Sequence, residues 1–315
     1  MRYLKAYLDL GKLRLSLLVV ATTLAGYLLA SHGAWSGPLA VALLGTLLSS
    51  MGANGLNQWL ERERDAKMRR TQSRPIPSGR LGQRMALELA LVNCIAGVLL
   101  LAFTVNLLTA ALSLLTILLY VFAYTPLKPV SPANTLVGAL CGAIPPVMGW
   151  TAAAGHIGFG AAALAAILFV WQIPHFLGLA WLYREDYARG GFAMLPVLED
   201  SGGRTGQMML TYSLALIPVA LLLAVGSISG WAYGAGSILL GGLLTALAWR
   251  FYFDRSAKSA RRVFVGSLAY LTLLLVLMVA TVQPDGHVMY VSPPQQSSVP
   301  SAPVAALVET AQAVE

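Results

Sequence analysis

The sequence predicts an all-α membrane protein of nine transmembrane helices, and three observations predict it. Of its 315 residues, 57% are hydrophobic and only 11% are charged, a balance foreign to soluble globular domains. Apolar runs long enough to cross a hydrocarbon core about 30 Å thick recur along the chain. Lys and Arg fall in alternate gaps between those runs, the bias that sets orientation in a membrane.

The spans follow in order. Span one, near 14–31, comes after Arg2, Lys5, Lys12 and Arg14. It is long enough to cross and no small-residue cleavage site follows, so it is expected to remain in the mature chain. Span two, near 38–57, opens into a gap holding Arg62, Arg64, Lys67, Arg69, Arg70, Arg74, Arg80 and Arg84. Spans three and four, near 85–104 and 107–124, enclose no Lys or Arg, and Lys128 follows them. Spans five and six, near 134–153 and 158–180, again enclose none, and Arg184, Arg189 and Arg204 follow. Spans seven to nine lie near 207–226, 231–249 and 263–282, with Arg250, Arg255, Lys258, Arg261 and Arg262 before the last. This alternation places the N-terminus inside and the C-terminus outside. It also accounts for the net charge of +8 with no nucleic-acid partner.

Residues 1–283 therefore read as one transmembrane unit. Residues 284–315 carry Pro, Ser and Gln clusters and are expected to form a disordered tail. Cys94 and Cys141 both fall inside spans, which suggests neither a disulfide framework nor a cysteine metal site.

One stretch breaks the apolar pattern: NQWLERERDAKMRRTQSRPIPSGR, Asn57 to Arg80. It begins while the second helix is still running, and Asn57, Glu61 and Asp65 recur every four residues. Four residues advance a helix by about 400°, so an amide and two carboxylates share one face. Like charges at that spacing repel by a few tenths of a kcal/mol, and more beside a membrane. Two readings stand. The acids pair with Arg62, Arg64, Lys67 and Arg69 on a solvated helix end, or a hard cation bridges them, Mg²⁺ foremost, with substrate phosphate on its open positions. Pro75, Pro77 and Gly79 stop the helix and hold Arg70 and Arg74 nearby, which suits a metal-bridged diphosphate.

This pattern resembles the aspartate-rich signature of the UbiA-type intramembrane prenyltransferases. Asp65, Met68, Arg70, Thr71, Arg74 and Pro75 match the D-x-x-M-x-R-T-x-x-R-P core of that family's heme-directed branch. Glu61 stands where the family has its usual first Asp, with the same charge on a longer arm. A second stretch, YTPLKPVSPANTLVGALCGAIPPVMGW, Tyr124 to Trp150, resembles the family's Tyr-Thr-x-x-Lys turn running into a Gly-rich helix. Read alone, Lys128 is a topological anchor; with the resemblance, it neutralises leaving diphosphate. Gly138, Gly142 and Gly149 let helices approach closely, and Pro145 and Pro146 are expected to kink the span.

The third stretch, WQIPHFLGLAWLYREDYARGGFAMLPV, Trp171 to Val197, resembles the family's W-Q-x-P-H-F and M-L-P segment. The superfamily usually presents a second D-x-x-x-D here, but Leu182 stands four residues before Asp186, so that pair is incomplete. Asp186 is still expected to face the pocket of Asp65, with spans two and six as counterparts in a weak internal repeat. His175 lies within a span, unlike His32, His156 and His287. It is either a buried histidine bonded to a neighbouring helix or an axial ligand for heme iron. Trp171 and Gln172, with Phe176 and Trp181, line an aromatic pocket or anchor helix ends at the interface.

The resemblance covers roughly residues 10–282. It implies a UbiA-like bundle that joins the farnesyl group of farnesyl diphosphate to a vinyl group of heme b and adds water, giving heme O. It further implies Mg²⁺ on Asn57, Glu61, Asp65 and Asp186, catalytic roles for Glu61, Asp65, Arg74, Lys128 and Asp186, and substrate contacts from Asn57, Lys67, Arg70, Tyr124, Trp171, Gln172, His175 and Tyr187. The protein is expected in a bacterial inner membrane, with membrane lipid around it, its site on the cytoplasmic face, and a downstream heme-modifying or oxidase-assembly partner; a mitochondrial inner membrane is the other setting. A UbiA-type enzyme acting on an aromatic or quinone precursor is the alternative within the class, and W-Q-I-P-H-F argues against it. A transporter would place charges near the bilayer midplane, yet Glu88 alone enters a span.

Overall fold

A computed structural model of the chain describes residues 2–35 and 37–283; the expected tail and His287 lie outside the described residues. A short helix α1 (Arg2–Leu10) precedes the first span. Among the described residues, nine helices are long and apolar enough to cross a membrane. They are α2 (Leu13–Ala30), α3 (Pro38–Asp65), α4 (Gln83–Thr104), a composite of α5 (Leu107–Leu118), a π-helical turn (Leu119–Tyr124) and α6 (Thr125–Leu127), then α7 (Asn134–Ala154) and α8 (Phe159–Leu182). After the short α9 (Arg184–Arg189) and α10 (Leu195–Leu198) come α11 (Gly203–Val225), α12 (Trp231–Asp254) and α13 (Ala257–Ala280).

The nine expected spans are all present, and several run further at the charged end. Helix α3 continues past residue 57 to Asp65, and α13 starts at Ala257 rather than near 263. Hydropathy marks where the apolar sequence stops, whereas Glu, Arg and Lys are good helix formers that carry the backbone ladder on into the polar zone.

Helix α7 is the centre of the bundle, with 72% of its spanning window buried. It packs on α2 and α5 on one side and on α8 on the other; α8 in turn packs on α11 and α13, α3 lies against α4, and α13 meets α2. The largest apolar cluster surrounds α8, with Ile167, Ile173, Tyr233 and Phe251 fully buried. Glycine makes the α2–α7 contact possible: a Cβ on Gly26 would lie 2.0 Å from the Pro146 carbonyl oxygen, and one on Gly149 would lie 1.9 Å from that of Thr23. Small residues that let backbones touch are how helices associate in lipid, where no hydrophobic drive separates protein from solvent. The expected kink residues Pro145 and Pro146 sit inside α7, and Thr23 Oγ1 donates to the Pro145 carbonyl across this seam at 3.1 Å.

Successive spans alternate in direction, so Lys and Arg gather at one end of the bundle. There Arg80 pairs with Asp9 at 2.7 Å and the Ala193 amide donates to the Lys128 carbonyl at 2.7 Å. At the opposite end the contacts are uncharged: Asn106 Nδ2 donates to the Thr151 carbonyl, and Ser229 pairs with Val282.

Gly149→Val is expected to destabilise the bundle by roughly 3 kcal/mol or to prevent its assembly, because the new side chain meets backbone that cannot move aside. Thermal unfolding in detergent checks this, with Gly242→Val, at a position where a Cβ meets nothing within 4 Å, as the tolerated control.

Candidate active site

Helix α3 carries Asn57, Glu61 and Asp65 down one face to its end, all three buried. Each has acquired a partner from a different part of the chain. Lys128, just past α6, reaches Glu61 with Nζ to Oε1 at 2.8 Å in a pair that is almost wholly buried. Arg74 donates from Nη1 to Asp65 Oδ2 at 2.6 Å. Asn57 accepts from Lys12 Nζ at 3.0 Å and donates to Thr125 Oγ1 at 3.1 Å. Unpaired carboxylates here would cost several kcal/mol in desolvation, so the cations are a condition of burying them.

The loop after α3 is folded back on the same acid. Thr71 Oγ1 donates to the Asp65 carbonyl at 2.9 Å, and Met68 is buried among Ala180, Phe192 and Met194. Asp65 Oδ1 remains buried with no hydrogen-bond partner. An orphaned carboxylate oxygen is expensive, and it leaves an atom free to bind a cation. Mg²⁺ fits: the ligand set of Asn57, Glu61 and Asp65 is all oxygen, with one oxygen of Asp65 uncommitted.

Three cations, Lys12, Arg74 and Lys128, act on two carboxylates, Glu61 and Asp65. Burial works against charge on Lys128, but the attraction and hydrogen bond of Glu61 outweigh it and hold the ammonium above its ordinary pKa. Lys12 has no carboxylate of its own. Burial, then repulsion from Arg74 and Lys128, outweigh the attraction of Glu61 and Asp65 and push it well below its ordinary value. The three basic side chains thus converge on the two carboxylates from α1–α2, the loop after α3 and the end of α6. Lys12 is held there by a left-handed backbone, φ 46°, between α1 and α2.

Of the other expected residues, Tyr124 faces the cluster, its ring centroid 4.5 Å from Lys128 Nζ. Lys67 and Arg70 are exposed at the rim, where Arg70 lies over the rings of Tyr183 and Tyr187. Asp186 is brought to this region but not to the carboxylates. Its oxygens accept from the Arg69 amide at 3.1 Å, the Arg70 amide at 3.2 Å and the Arg189 guanidinium. It clasps the loop after α3 to the loop after α8, and Arg64 completes the clasp by donating to the carbonyls of Gly190 and Gly191 at 2.9 Å each. Both oxygens of Asp186 are thus taken up by the clasp between the two loops.

His175, Trp171 and Gln172 form a second locus along α8. The His175 ring stacks on Trp171 and Phe264, each at 4.9 Å between centroids. Trp171 Nε1 donates to the Ser267 carbonyl at 2.7 Å. Ser267 Oγ lies 2.7 Å from the Phe264 carbonyl, to which it donates, and 2.9 Å from His175 Nδ1. With Nδ1–H donated to that oxygen, Nε2 carries the lone pair, the form of imidazole that binds a metal. Gln172 is buried against α7, where Gly142 makes room: a Cβ there would lie 2.3 Å from Gln172 Oε1.

Sequence reasoning did not single out Lys12 or Thr125. Lys12 reads as one of the basic residues that orient span one, and only its backbone turn brings it to Asn57. Thr125 stands inside the Tyr-Thr-x-x-Lys stretch, which was the available signal.

Residues 19–282 match the UbiA prenyltransferase family, and the chain belongs to that family. It is 43% identical over 273 residues to the protoheme IX farnesyltransferase of Salinibacter ruber, covering 86% of this chain and 96% of that one. It is 42% identical over 278 residues to the mitochondrial protoheme IX farnesyltransferase of Homo sapiens, covering 88% of this chain but only 62% of the human protein, less than two thirds of its length. A solved structure of digeranylgeranylglyceryl phosphate synthase has a TM-score of 0.76 at 16% identity, covering 89% of this chain and 99% of that one. A UbiA homolog from Archaeoglobus fulgidus bound to DMAPP and Mg²⁺ has a TM-score of 0.58 at 14% identity, covering 86% and 99%. The likeness to these two structures is one of fold, and it bears out the expected UbiA-like bundle.

Lys128→Met is expected to cost about 3–5 kcal/mol by stranding buried Glu61, and adding Glu61→Gln is expected to recover most of it; unfolding midpoints of the three variants check this. For Asp186, burial raises the pKa, but the bonds from Arg189, Arg69 and Arg70 outweigh it and hold the carboxyl below its ordinary value. Its stabilisation is full above the unfolded pKa of about 3.9 and is lost as pH falls through the folded value. Hydrogen exchange across 66–81 is expected to accelerate below about pH 4, and at neutral pH in Asp186→Ala.

Proposed function

We propose that this chain is a protoheme IX farnesyltransferase, which joins the farnesyl group of farnesyl diphosphate to a vinyl group of heme b with addition of water, giving heme O and diphosphate. The observation that carries the reading is the identity of 42–43% to protoheme IX farnesyltransferases over 86–88% of the chain. The cation-rich carboxylate cluster at one end of the bundle supports it chemically.

The diphosphate lies between Lys12, Arg74 and Lys128. Lys67 and Arg70 collect it at the rim. Mg²⁺, present in the Archaeoglobus fulgidus homolog's structure, is held by Asn57, Glu61 and the free oxygen of Asp65; when bound, it withdraws charge from the diphosphate and eases its departure. The lysine and arginine donors stabilise the same developing charge in a partly dry site, where fixed donors act most strongly. Tyr124 turns its ring toward the allylic cation. Heme lies against α8, with Nε2 of His175 for its iron and Trp171 and Gln172 beside it. Asp186, with Tyr187 on Arg70, positions the loop rather than the metal.

The prenyltransferase unit is residues 1–283. Its charged end faces the cytoplasm of a bacterial inner membrane, with the N-terminus inside and the C-terminus outside, a reading that the one-sided Lys and Arg distribution supports. Heme O then passes to a heme-modifying or oxidase-assembly partner.

The test is incubation of the purified protein with heme b, farnesyl diphosphate and Mg²⁺, with heme followed by chromatography and mass. The expected product gains farnesyl and one water, disappears with EDTA, and falls by about a hundredfold or more in Asp65→Asn, the loss typical of removing one electrostatic stabiliser. Prenylation of a quinone precursor with heme untouched would replace the acceptor, and inactivity with every acceptor would overturn the reading.

A further inference from the structure

We infer that a polar cluster of Ser16, Ser50, Asn54 and Tyr120 holds the water molecule that is added to the heme; this rests on the proposed farnesyl transfer to heme b.

Asn54 and Ser50 precede Asn57 by three and seven residues on α3, so they extend the stripe of Asn57, Glu61 and Asp65 into the span. At 1.5 Å per residue they lie about 4.5 and 10.5 Å deeper than Asn57. Asn54 Nδ2 donates to Ser16 Oγ at 3.2 Å, and Ser50 Oγ donates to the same oxygen at 3.1 Å. Ser16 passes its own hydrogen to the Gly11 carbonyl at 2.9 Å, beside Lys12. Tyr120 Oη donates to Asn54 Oδ1 at 3.4 Å. The cluster thus joins α2, α3 and the π-helical turn directly beneath the diphosphate site.

Polar groups this deep are costly and often serve only to tie helices together. The Ser113–Ser49 pair nearby is of that kind: two buried hydroxyls at 2.8 Å. The Asn54 cluster differs in two ways. A carboxamide offers two donors and two acceptor lone pairs, and Asn54, 5% exposed, uses one donor to Ser16 and one lone pair for Tyr120. One N–H and one lone pair stay available, with further acceptor capacity on Tyr120 and Ser50, enough for the two to four polar partners that hold a single water. Second, Tyr120 is half-buried in a π-helical turn, a rare device concentrated at functional sites. Its ring stacks at 5.1 Å on Tyr124, which in turn lies under Lys128. A continuous row of side chains, Glu61, Lys128, Tyr124, Tyr120, Asn54, connects the leaving group to the cluster.

The reaction needs such a place. Cleavage of the farnesyl C1–O bond leaves the electron pair on diphosphate. The vinyl π pair then forms the new carbon–carbon bond to C1, which leaves positive charge on the vinyl carbon attached to the porphyrin. A lone pair of water closes onto that carbon and the released proton goes to diphosphate. Bulk water would instead quench the farnesyl cation first, so the site must exclude solvent while supplying one held molecule late. Without it, the second cation loses a proton from the adjacent CH₂ and gives an alkene one water lighter.

The readout is the ratio of hydrated to dehydrated farnesyl-heme by mass, in the full-length protein with heme b, farnesyl diphosphate and Mg²⁺. Asn54→Leu is expected to lower that ratio by about tenfold or more, the factor that a hydrogen bond of about 1.4 kcal/mol supplies. Tyr120→Phe is expected to lower it in the same direction, and Asn54→Ser to retain most of it. A merely structural role would change total product and leave the ratio alone, and an unchanged ratio in Asn54→Leu and Tyr120→Phe overturns the inference. Should Asn54→Leu fail to fold, Tyr120→Phe, which removes a single hydroxyl, decides by the same ratio. No farnesyl-heme from the unaltered protein would instead overturn the farnesyl transfer itself, and this inference with it.

Discussion

Two carboxylates buried at the end of a membrane helix are the constraint on which this structure turns. Neither Glu61 nor Asp65 can be buried without a cation, and the cations come from elsewhere in the chain: Lys128 beyond α6 and Arg74 from the loop after α3. Each pairing fixes a segment that hydrophobic packing would leave undecided, because lipid tails solvate apolar helices as well as other helices do. The ion pairs therefore act as registry devices more than as sources of net stability. They also aim the two acids at one place.

A second tier of contacts steadies that place. The loops after α3 and α8 meet through Met68 packed on Phe192 and Met194, and Asp186 and Arg64 bind backbone across the same junction, one to amides and the other to carbonyls. Backbone partners are position-specific and do not swing as side chains do. Below the loops, the glycine seam between α2 and α7 keeps the first span tight against the centre. Lys12 is thereby delivered to Asn57 from the start of α2 with its helix already anchored.

Much of this was legible in the sequence. Nine apolar runs and one-sided Lys and Arg describe the bundle, since both follow from the hydrocarbon thickness alone. The four-residue recurrence of Asn57, Glu61 and Asp65 gave the face on which they lie, because helical periodicity is local. What stayed hidden depends on contacts distant in sequence. Asp186 was placed beside Asp65 by the family resemblance alone; that its oxygens meet the amides of Arg69 and Arg70 depends on where a loop some 116 residues away in sequence comes to rest. Lys12 was masked by its topological role, and the π-helical turn at Leu119–Tyr124 has no periodicity signal in so short a run. Helix α1 escaped because a nine-residue amphipathic segment is too short to register on a scale tuned to spans.

The gathering of Lys and Arg at a single end of the bundle has a consequence for traffic. Under the proposed reaction, diphosphate enters and leaves at the end where Lys and Arg gather, so the hydrophilic half of the donor and the by-product share one aqueous compartment. The opposite end, closed by uncharged contacts such as Asn106 with Thr151, offers an anion no foothold. On that reading, a gradient of donor across the membrane is invisible from the far side, and the near compartment alone supplies it.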